Sequence, residues 1–267
     1  MEIDLRLTFN EDALNYDKFR PTYTDKLFDD VIRYSSLNNS KKALEIGIGT
    51  GQATLPFLKT GCNITAIEIG DKLAQFSREK FAQFNSFKVI NKDFESVQLD
   101  ENAYDLIYSA SAFHWIPIEI GLPKVYSLLK SKGVFAWFSV QPAPAKEHTN
   151  IHNEIQKVYS KHSKYFGAER PLPNLQLWQK QAKEKCLNRS GALKQYGFIN
   201  VNDKLYYGSR TFNAEDYTTL ISTYSDHIAM PEDIRIPFLN EIAGIINAYG
   251  GKFTLSDTMI LCMGRKP

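Results

Sequence analysis

The chain has 267 residues, of which 43% are apolar and 23% charged, ordinary globular usage that sets aside disordered, collagen-like and membrane-spanning classes. Its 32 basic and 30 acidic residues leave a net charge of +2 and are spread along the chain, so no basic patch marks a nucleic-acid partner. The start, Met1-Glu2-Ile3-Asp4-Leu5-Arg6, has acids where a signal peptide has bases, and no apolar run approaches roughly 18 residues, so a cytoplasmic protein with no membrane contact is expected.

Beyond an N-terminal stretch to about residue 40, expected to form cap helices, short β-branched runs alternate with amphipathic segments, the pattern of βαβ units. Strands are predicted at residues 43–48, 63–69, 87–90, 104–109 and 133–140. A helix is predicted over 71–84, with Asp71 as N-cap and Leu73, Phe76, Phe81 and Phe84 on one face. A second, over 119–130, carries Leu122, Val125, Tyr126 and Leu129 inward, and Gly133 ends the turn after it. From Pro142 the rhythm changes. Residues 142–190 hold Pro142, Pro144, Pro171 and Pro173 among polar helical stretches, strand character returns over 198–212 and 252–263, and a helical stretch at 214–250 separates the two. The expected architecture is a single α/β domain: a Rossmann-like, doubly wound seven-stranded sheet, mostly parallel with an antiparallel C-terminal strand. The two helical insertions, about 142–190 and 213–250, are expected to form a lid, because ligands of open α/β sheets sit outside the carboxyl ends of the strands. Surface helices packed on the sheet are the plainer alternative.

The most informative segment is Glu45-Ile46-Gly47-Ile48-Gly49-Thr50-Gly51, a strand running into a turn with glycine at every second position. Such a turn lets backbone approach a ligand closely. Glu68, ending the second predicted strand, suits the two hydroxyls of an adenosine ribose, and Asp93-Phe94, after the third, suits an adenine. No lysine follows the loop, as a P-loop requires, and Gln52 stands where the dinucleotide fingerprint has its third glycine. Glu45 disfavours a pyrophosphate and favours a ligand with an ammonium and a sulfonium. S-adenosylmethionine combines adenosine, a sulfonium and an amino acid.

These segments resemble the class I S-adenosylmethionine-dependent methyltransferases: the glycine loop is similar to motif I, Glu68 to the acidic end of strand two, Asp93-Phe94 to the adenine motif and residues 104–109 to strand four. Phe9 and Tyr16-Asp17-x-x-Arg20-Pro21-x-Tyr23 resemble the N-terminal entry of the small-molecule branch, methyltransferase type 11, and Ser111-Ala112-Phe113-His114-Trp115 the trans-aconitate type. The resemblance covers residues 9–140 closely and 198–265 in pattern only. It implies cofactor contacts from Tyr16, Arg20, Glu45, Gly47, Gly49, Thr50, Gly51, Glu68, Ile69, Asp93, Phe94 and Ser109, with Arg20 pairing with the methionyl carboxylate. Residues 129–133 lack the usual proline and first glycine of the turn, and 142–190 match nothing in the family.

Methyl transfer from a sulfonium asks the protein mainly for alignment and exclusion of water. His114 is the candidate base or positioning group, with Trp115 beside it as pocket wall; packing in the structure is the plainer reading of His114. His227 is read as lying on a solvated helix face, and His148, His152 and His162 as exposed. No metal-ligand spacing is present, and Cys62, Cys186 and Cys262, far apart and odd in number, fit reduced buried thiols. Arg170 is read as a solvated loop arginine. The expected activity is methyl transfer to a small molecule, a carboxylate or hydroxyl; a nicotinamide dehydrogenase and a non-catalytic binding module are the alternatives.

Overall fold

The computed structural model describes residues 13–166 and 175–267; Phe9, Arg170, Pro171, Pro173 and the reading of Met1–Arg6 lie outside them. In chain order the elements are α1 (Ala13–Phe19), α2 (Asp25–Ser35), β1 (Lys42–Ile46), α3 (Thr54–Leu58), β2 (Asn63–Glu68), α4 (Asp71–Lys80), β3 (Phe87–Asn91), β4 (Tyr104–Ala110), α5 (Ile118–Leu128) and β5 (Leu129–Pro144). There follow α6 (Thr149–Lys161), α7 (Ser163–Phe166), α8 (Leu175–Gln195), β6 (Ile199–Phe212), α9 (Ala214–Ser222), α10 (Ser225–Ile228), α11 (Glu232–Ala248) and β7 (Phe253–Arg265). The strands form one seven-stranded sheet in the order β3-β2-β1-β4-β5-β7-β6, with β1 to β5 parallel. The Lys266 amide donates to the Gly133 carbonyl, and the Ala145 amide to that of Thr254, so β7 runs antiparallel to β5. This is the mostly parallel, doubly wound sheet that the alternation predicts.

The chain divides into two compact units. One comprises Pro21–Val140, Ala182–Tyr206 and Met259–Pro267. Period-two alternation sorts its strand residues between two cores. Ala43, Leu106, Tyr108, Val134, Ala136 and Phe138 pack with Leu27, Phe28 and Phe57, while Leu44, Ile46, Ile107, Phe135 and Trp137 pack with Leu122, Val125 and Leu193. The other comprises residues 1–20, 141–181 and 207–258 and has a core of its own, in which Ile151, Ile155, Tyr159, Tyr217, Leu220, Phe238 and Ile242 are buried.

Several local expectations need correction. Gly70 holds the N-cap position of α4, and Asp71 is its first helical residue. That helix ends at Lys80 and buries Leu73, Ala74 and Ser77; Phe81 stands at its C-cap, and Phe84 lies beyond it. Gly133 lies inside β5, which begins at Leu129 without an intervening turn, because β7 supplies pairing as far as Lys132 and Gly133. The helical stretch 214–250 is three helices, interrupted at Thr223–Tyr224 and ahead of Pro231. Although Cys186 and Cys262 are remote in sequence, their sulfurs lie 3.9 Å apart as buried free thiols.

Candidate functional site

The glycine turn follows β1 directly, and all three of its glycines take left-handed backbone, with φ of +70° at Gly47, +58° at Gly49 and +82° at Gly51. A Cβ on Gly47 would come within 2.4 Å of the Ala112 Cβ, and one on Gly51 within 2.3 Å of the Phe81 ring. Space as well as conformation therefore demands glycine at these two positions. The turn is held from three sides. The Glu68 carboxylate accepts the Gly49 amide at 2.8 Å and the Gly70 amide at 3.0 Å; the Ser77 hydroxyl donates to the Gly49 carbonyl at 2.7 Å; and the Lys80 amine donates to the Thr50 carbonyl at 3.0 Å. Thr50 is fully buried and its hydroxyl accepts from the Gln52 amide.

Burial pushes the Glu68 carboxyl above the usual carboxylate range, against the backbone amides that favour its ionised form. Each of its oxygens has a second lone pair, so the residue keeps acceptor capacity for hydroxyl donors. Asn91 donates to the carbonyls of Glu68 and Ile69, fixing the end of β2. Asp93, half-buried after β3, accepts the Ser96 amide at 2.7 Å and its hydroxyl at 2.5 Å, and buried Phe94 follows it.

Glu45 is fully buried one residue before the end of β1. Its Oε2 accepts from the Thr54 hydroxyl at 2.7 Å and the Tyr108 hydroxyl at 2.8 Å. Burial, aided by the Glu68 charge, pushes its carboxyl up to about 7. Ser109 is buried in β4 and its hydroxyl donates to the Ile46 carbonyl at 2.8 Å, tying the ends of β4 and β1 together. The sequence-predicted Gly47, Gly49, Thr50, Gly51, Glu68, Ile69, Asp93, Phe94 and Ser109 therefore gather at the carboxyl ends of β1 to β4 in one unit.

His114 lies in a single 3₁₀ turn, Phe113–Trp115, just past β4. Phe113 anchors this turn against Phe135 and Trp137, each with ring centroids 5.0 Å away. The imidazole is exposed on one side, with Trp115 at 5.0 Å between centroids; desolvation by its neighbours, then the charges of Arg189 and Lys185, hold it below the ordinary histidine range. It is a neutral acceptor at neutral pH. Tyr16 and Arg20 lie in the other unit. The Arg20 guanidinium sits 4.5 Å from the Tyr16 ring and 4.6 Å from the Tyr224 ring, and it donates to the Thr223 hydroxyl and carbonyl.

All four remaining histidines differ from the sequence reading; His162 is half-buried, its ring centroid 5.4 Å from that of Phe238. His227 is fully buried between Asp226 and Tyr159, His152 is buried, and His148 accepts the Thr254 amide through Nδ1 at 2.8 Å. Ser77, Lys80, Thr54, Asn91 and Tyr108 went unpredicted as supports of the loop. Asn91 alone left a sequence signal, a polar residue ending an apolar strand, whereas the others act across the fold. Among the described residues no helix is long and apolar enough to cross a membrane, and no group of three or more His, Cys, Asp or Glu residues could hold a metal.

Comparison with known proteins agrees with this geometry. Residues 44–137 match the family model described as a methyltransferase domain. The chain is 28% identical over 141 residues to a probable S-adenosylmethionine-dependent methyltransferase of Saccharomyces cerevisiae, a match covering 51% of this chain and 48% of that protein, so it spans about half the length of that relative. It is 23% identical over 242 residues to an uncharacterized methyltransferase of Schizosaccharomyces pombe, covering 90% of this chain and 87% of the relative. The solved structure described as a "Putative Type II Methyltransferase" from Anaeromyxobacter dehalogenans superposes with a TM-score of 0.61 at 17% identity, covering 92% of this chain and 98% of that one, and so shares the fold. Residues 44–137 thus match a methyltransferase domain, the chain has the fold of a solved methyltransferase structure, and the loop geometry agrees with S-adenosylmethionine as its cofactor.

Proposed function

We propose that the protein transfers the methyl group of S-adenosylmethionine to an oxygen, carboxylate or hydroxyl, of a small-molecule acceptor. The observation that carries the cofactor side is the Glu68 carboxylate bonded to Gly49, which sets a ribose-type acceptor against a turn of three left-handed glycines. On this reading Glu68 takes the ribose hydroxyls, Asp93 and Phe94 the adenine, and the glycine turn with Thr50, Ile69 and Ser109 lines the cofactor. Glu45 attracts the ammonium, directly or through water; such a cation would favour its ionised form and offset the burial that pushes it up. Tyr16 and Arg20 are proposed as the contacts of the methionyl carboxylate that the resemblance implies. The bound cofactor supplies an electrophilic methyl on a positively charged sulfur. The protein's own part is alignment, exclusion of water and, for a hydroxyl acceptor, removal of a proton.

His114 is proposed to hold the acceptor oxygen, and to take its proton where there is one, its neutral state at neutral pH being supported by the cations nearby. The helical unit is proposed to serve as the substrate lid, and the location to be cytoplasmic. Equilibrium dialysis with S-adenosylmethionine and NAD, followed by transfer of a radiolabelled methyl to a panel of small acids and alcohols, tests this function. Binding of the sulfonium cofactor with label in an acid or alcohol is expected; label only in amines or thiols overturns the oxygen acceptor, and NAD binding alone overturns the whole. His114→Gln is expected to lower kcat roughly a hundredfold with the cofactor Kd unchanged. Its pH profile loses the acidic limb that the wild type shows below the ordinary histidine range.

A further inference from the structure

The inner face of α8 carries Ala182, Cys186, Arg189 and Leu193, a helical stripe with one cation in it. Arg189 is 9% exposed. Its Nη2 donates to the Ser139 hydroxyl at 2.8 Å and its guanidinium lies 4.6 Å from the centre of the Trp137 ring, so the side chain is braced on β5 from two directions. Its Nη1 is buried with no hydrogen-bond partner among the described residues. The ionisable groups acting most on it are Cys262, Cys186 and Tyr23, none of them a carboxylate.

One helical turn earlier stands Lys185, exposed, with no ion pair or hydrogen bond to any described residue. Desolvation and then the Arg189 charge pull its amine below the ordinary lysine range, so the two cations repel each other across that turn. Both also act on His114. The parallel pairing of β4 with β5 sets Ala110 beside Phe138, which brings the segment leading to His114 level with Ser139.

A buried guanidinium with a free donor and a second cation beside it is a costly arrangement for a purely structural role. An aliphatic side chain would complete the stripe at no such cost. An oxyanion would satisfy Nη1 and relieve the repulsion at once, and a fork stacked on an indole has little orientational entropy left to lose. We propose that Arg189 and Lys185 are the specificity-determining pair of the acceptor site, taking the oxyanion, carboxylate or phosphate, of a small acceptor whose reacting end meets His114. This rests on the methyltransferase reading and narrows its acceptor to an anion.

The test is binding rather than turnover, so the two readings fail separately. The full chain, free and loaded with S-adenosylhomocysteine, is titrated with succinate, inorganic phosphate and the neutral dimethyl succinate, following the indole NMR signal of Trp137. Saturable binding of succinate or phosphate, and none of the diester, is expected; the tighter of the two identifies the oxyanion. Arg189→Gln should weaken it about tenfold or more and Lys185→Gln roughly threefold, with S-adenosylhomocysteine affinity preserved. Because Lys185 is exposed, its variant keeps the test decisive if Arg189→Gln fails to fold. Absence of saturable binding, equal affinity for the diester, or unchanged oxyanion affinity in the variants overturns the proposal. A wild-type chain that binds oxyanions but no S-adenosylhomocysteine overturns the methyltransferase reading instead.

Discussion

The Glu68 carboxylate and the Gly49 amide meet at 2.8 Å across nineteen positions of sequence, and the same side chain holds the Gly70 amide at 3.0 Å. One buried carboxylate thus joins the glycine turn after β1 to the segment that opens α4. Replacing it with alanine leaves two amides without their acceptor and releases the turn; glutamine keeps one acceptor but sets an NH₂ against the other amide. Cofactor affinity should fall roughly a hundredfold in Glu68→Ala and roughly tenfold in Glu68→Gln. Titration calorimetry with S-adenosylhomocysteine measures both, and wild-type affinity in Glu68→Ala would remove this bond from the cofactor site.

Glu45 gives a prediction of pH dependence. Its carboxyl rises from an ordinary 4.5 to about 7 in the folded chain because burial outweighs the bonds from Thr54 and Tyr108. Between those values the folded chain holds a proton that the unfolded chain has released, so this residue's contribution falls as pH rises through the window and levels off above it. The full effect is on the order of 3 kcal/mol. Glu45→Gln has no proton to lose, so the variant should gain on the wild type between pH 5 and pH 8. Urea midpoints of the two cofactor-free chains check this, and a constant difference across that range rules it out.

Gly51 combines a left-handed φ of +82° with an aromatic ring where a Cβ would stand. Gly51→Ala should cost roughly 3 kcal/mol in the free chain, part backbone strain and part collision with Phe81. Adding Phe81→Leu should return the collision part and leave the strain, an interaction that a double-mutant cycle in urea resolves. Additive effects would show that the Phe81 ring does not crowd this position.

The sheet was legible because the central parallel strands β1, β2 and β4 are short apolar runs buried on both faces, Ala43 and Leu106 on one and Leu44, Ile46 and Ile107 on the other, and a glycine turn at a strand end narrows both conformation and ligand. What was not legible depends on hydrogen bonds and packing that residue type alone does not reveal. Asp71 has the chemistry of an N-cap, yet the chain enters α4 one residue earlier, where Glu68 takes the Gly70 amide. Ser77 reads as a polar residue on a surface helix, although its hydroxyl serves a carbonyl 28 positions away. Arg189 reads as one more charge in a helix with many, and only packing against Trp137 and Ser139 sets it apart.

His227 makes the same point in the helical unit and supplies the last prediction. Its Nδ1 lies 2.6 Å from Asp226 Oδ1 and its Nε2 lies 2.7 Å from the Tyr159 hydroxyl, with the rings of Phe166 and Phe238 against it. The polar side chain is fully buried because both its nitrogens are engaged. His227→Ala opens a cavity and removes the bonds to Asp226 and the Tyr159 hydroxyl, a loss of roughly 3–4 kcal/mol. His227→Phe preserves most of the volume and loses only the bonds to Asp226 and the Tyr159 hydroxyl, so it should cost about 1–2 kcal/mol. Adding Tyr159→Phe removes the other half of the same hydrogen bond, so the double variant should cost less than the sum of the two single substitutions. A histidine on a solvated face would instead give three variants within about 0.5 kcal/mol of one another in urea unfolding.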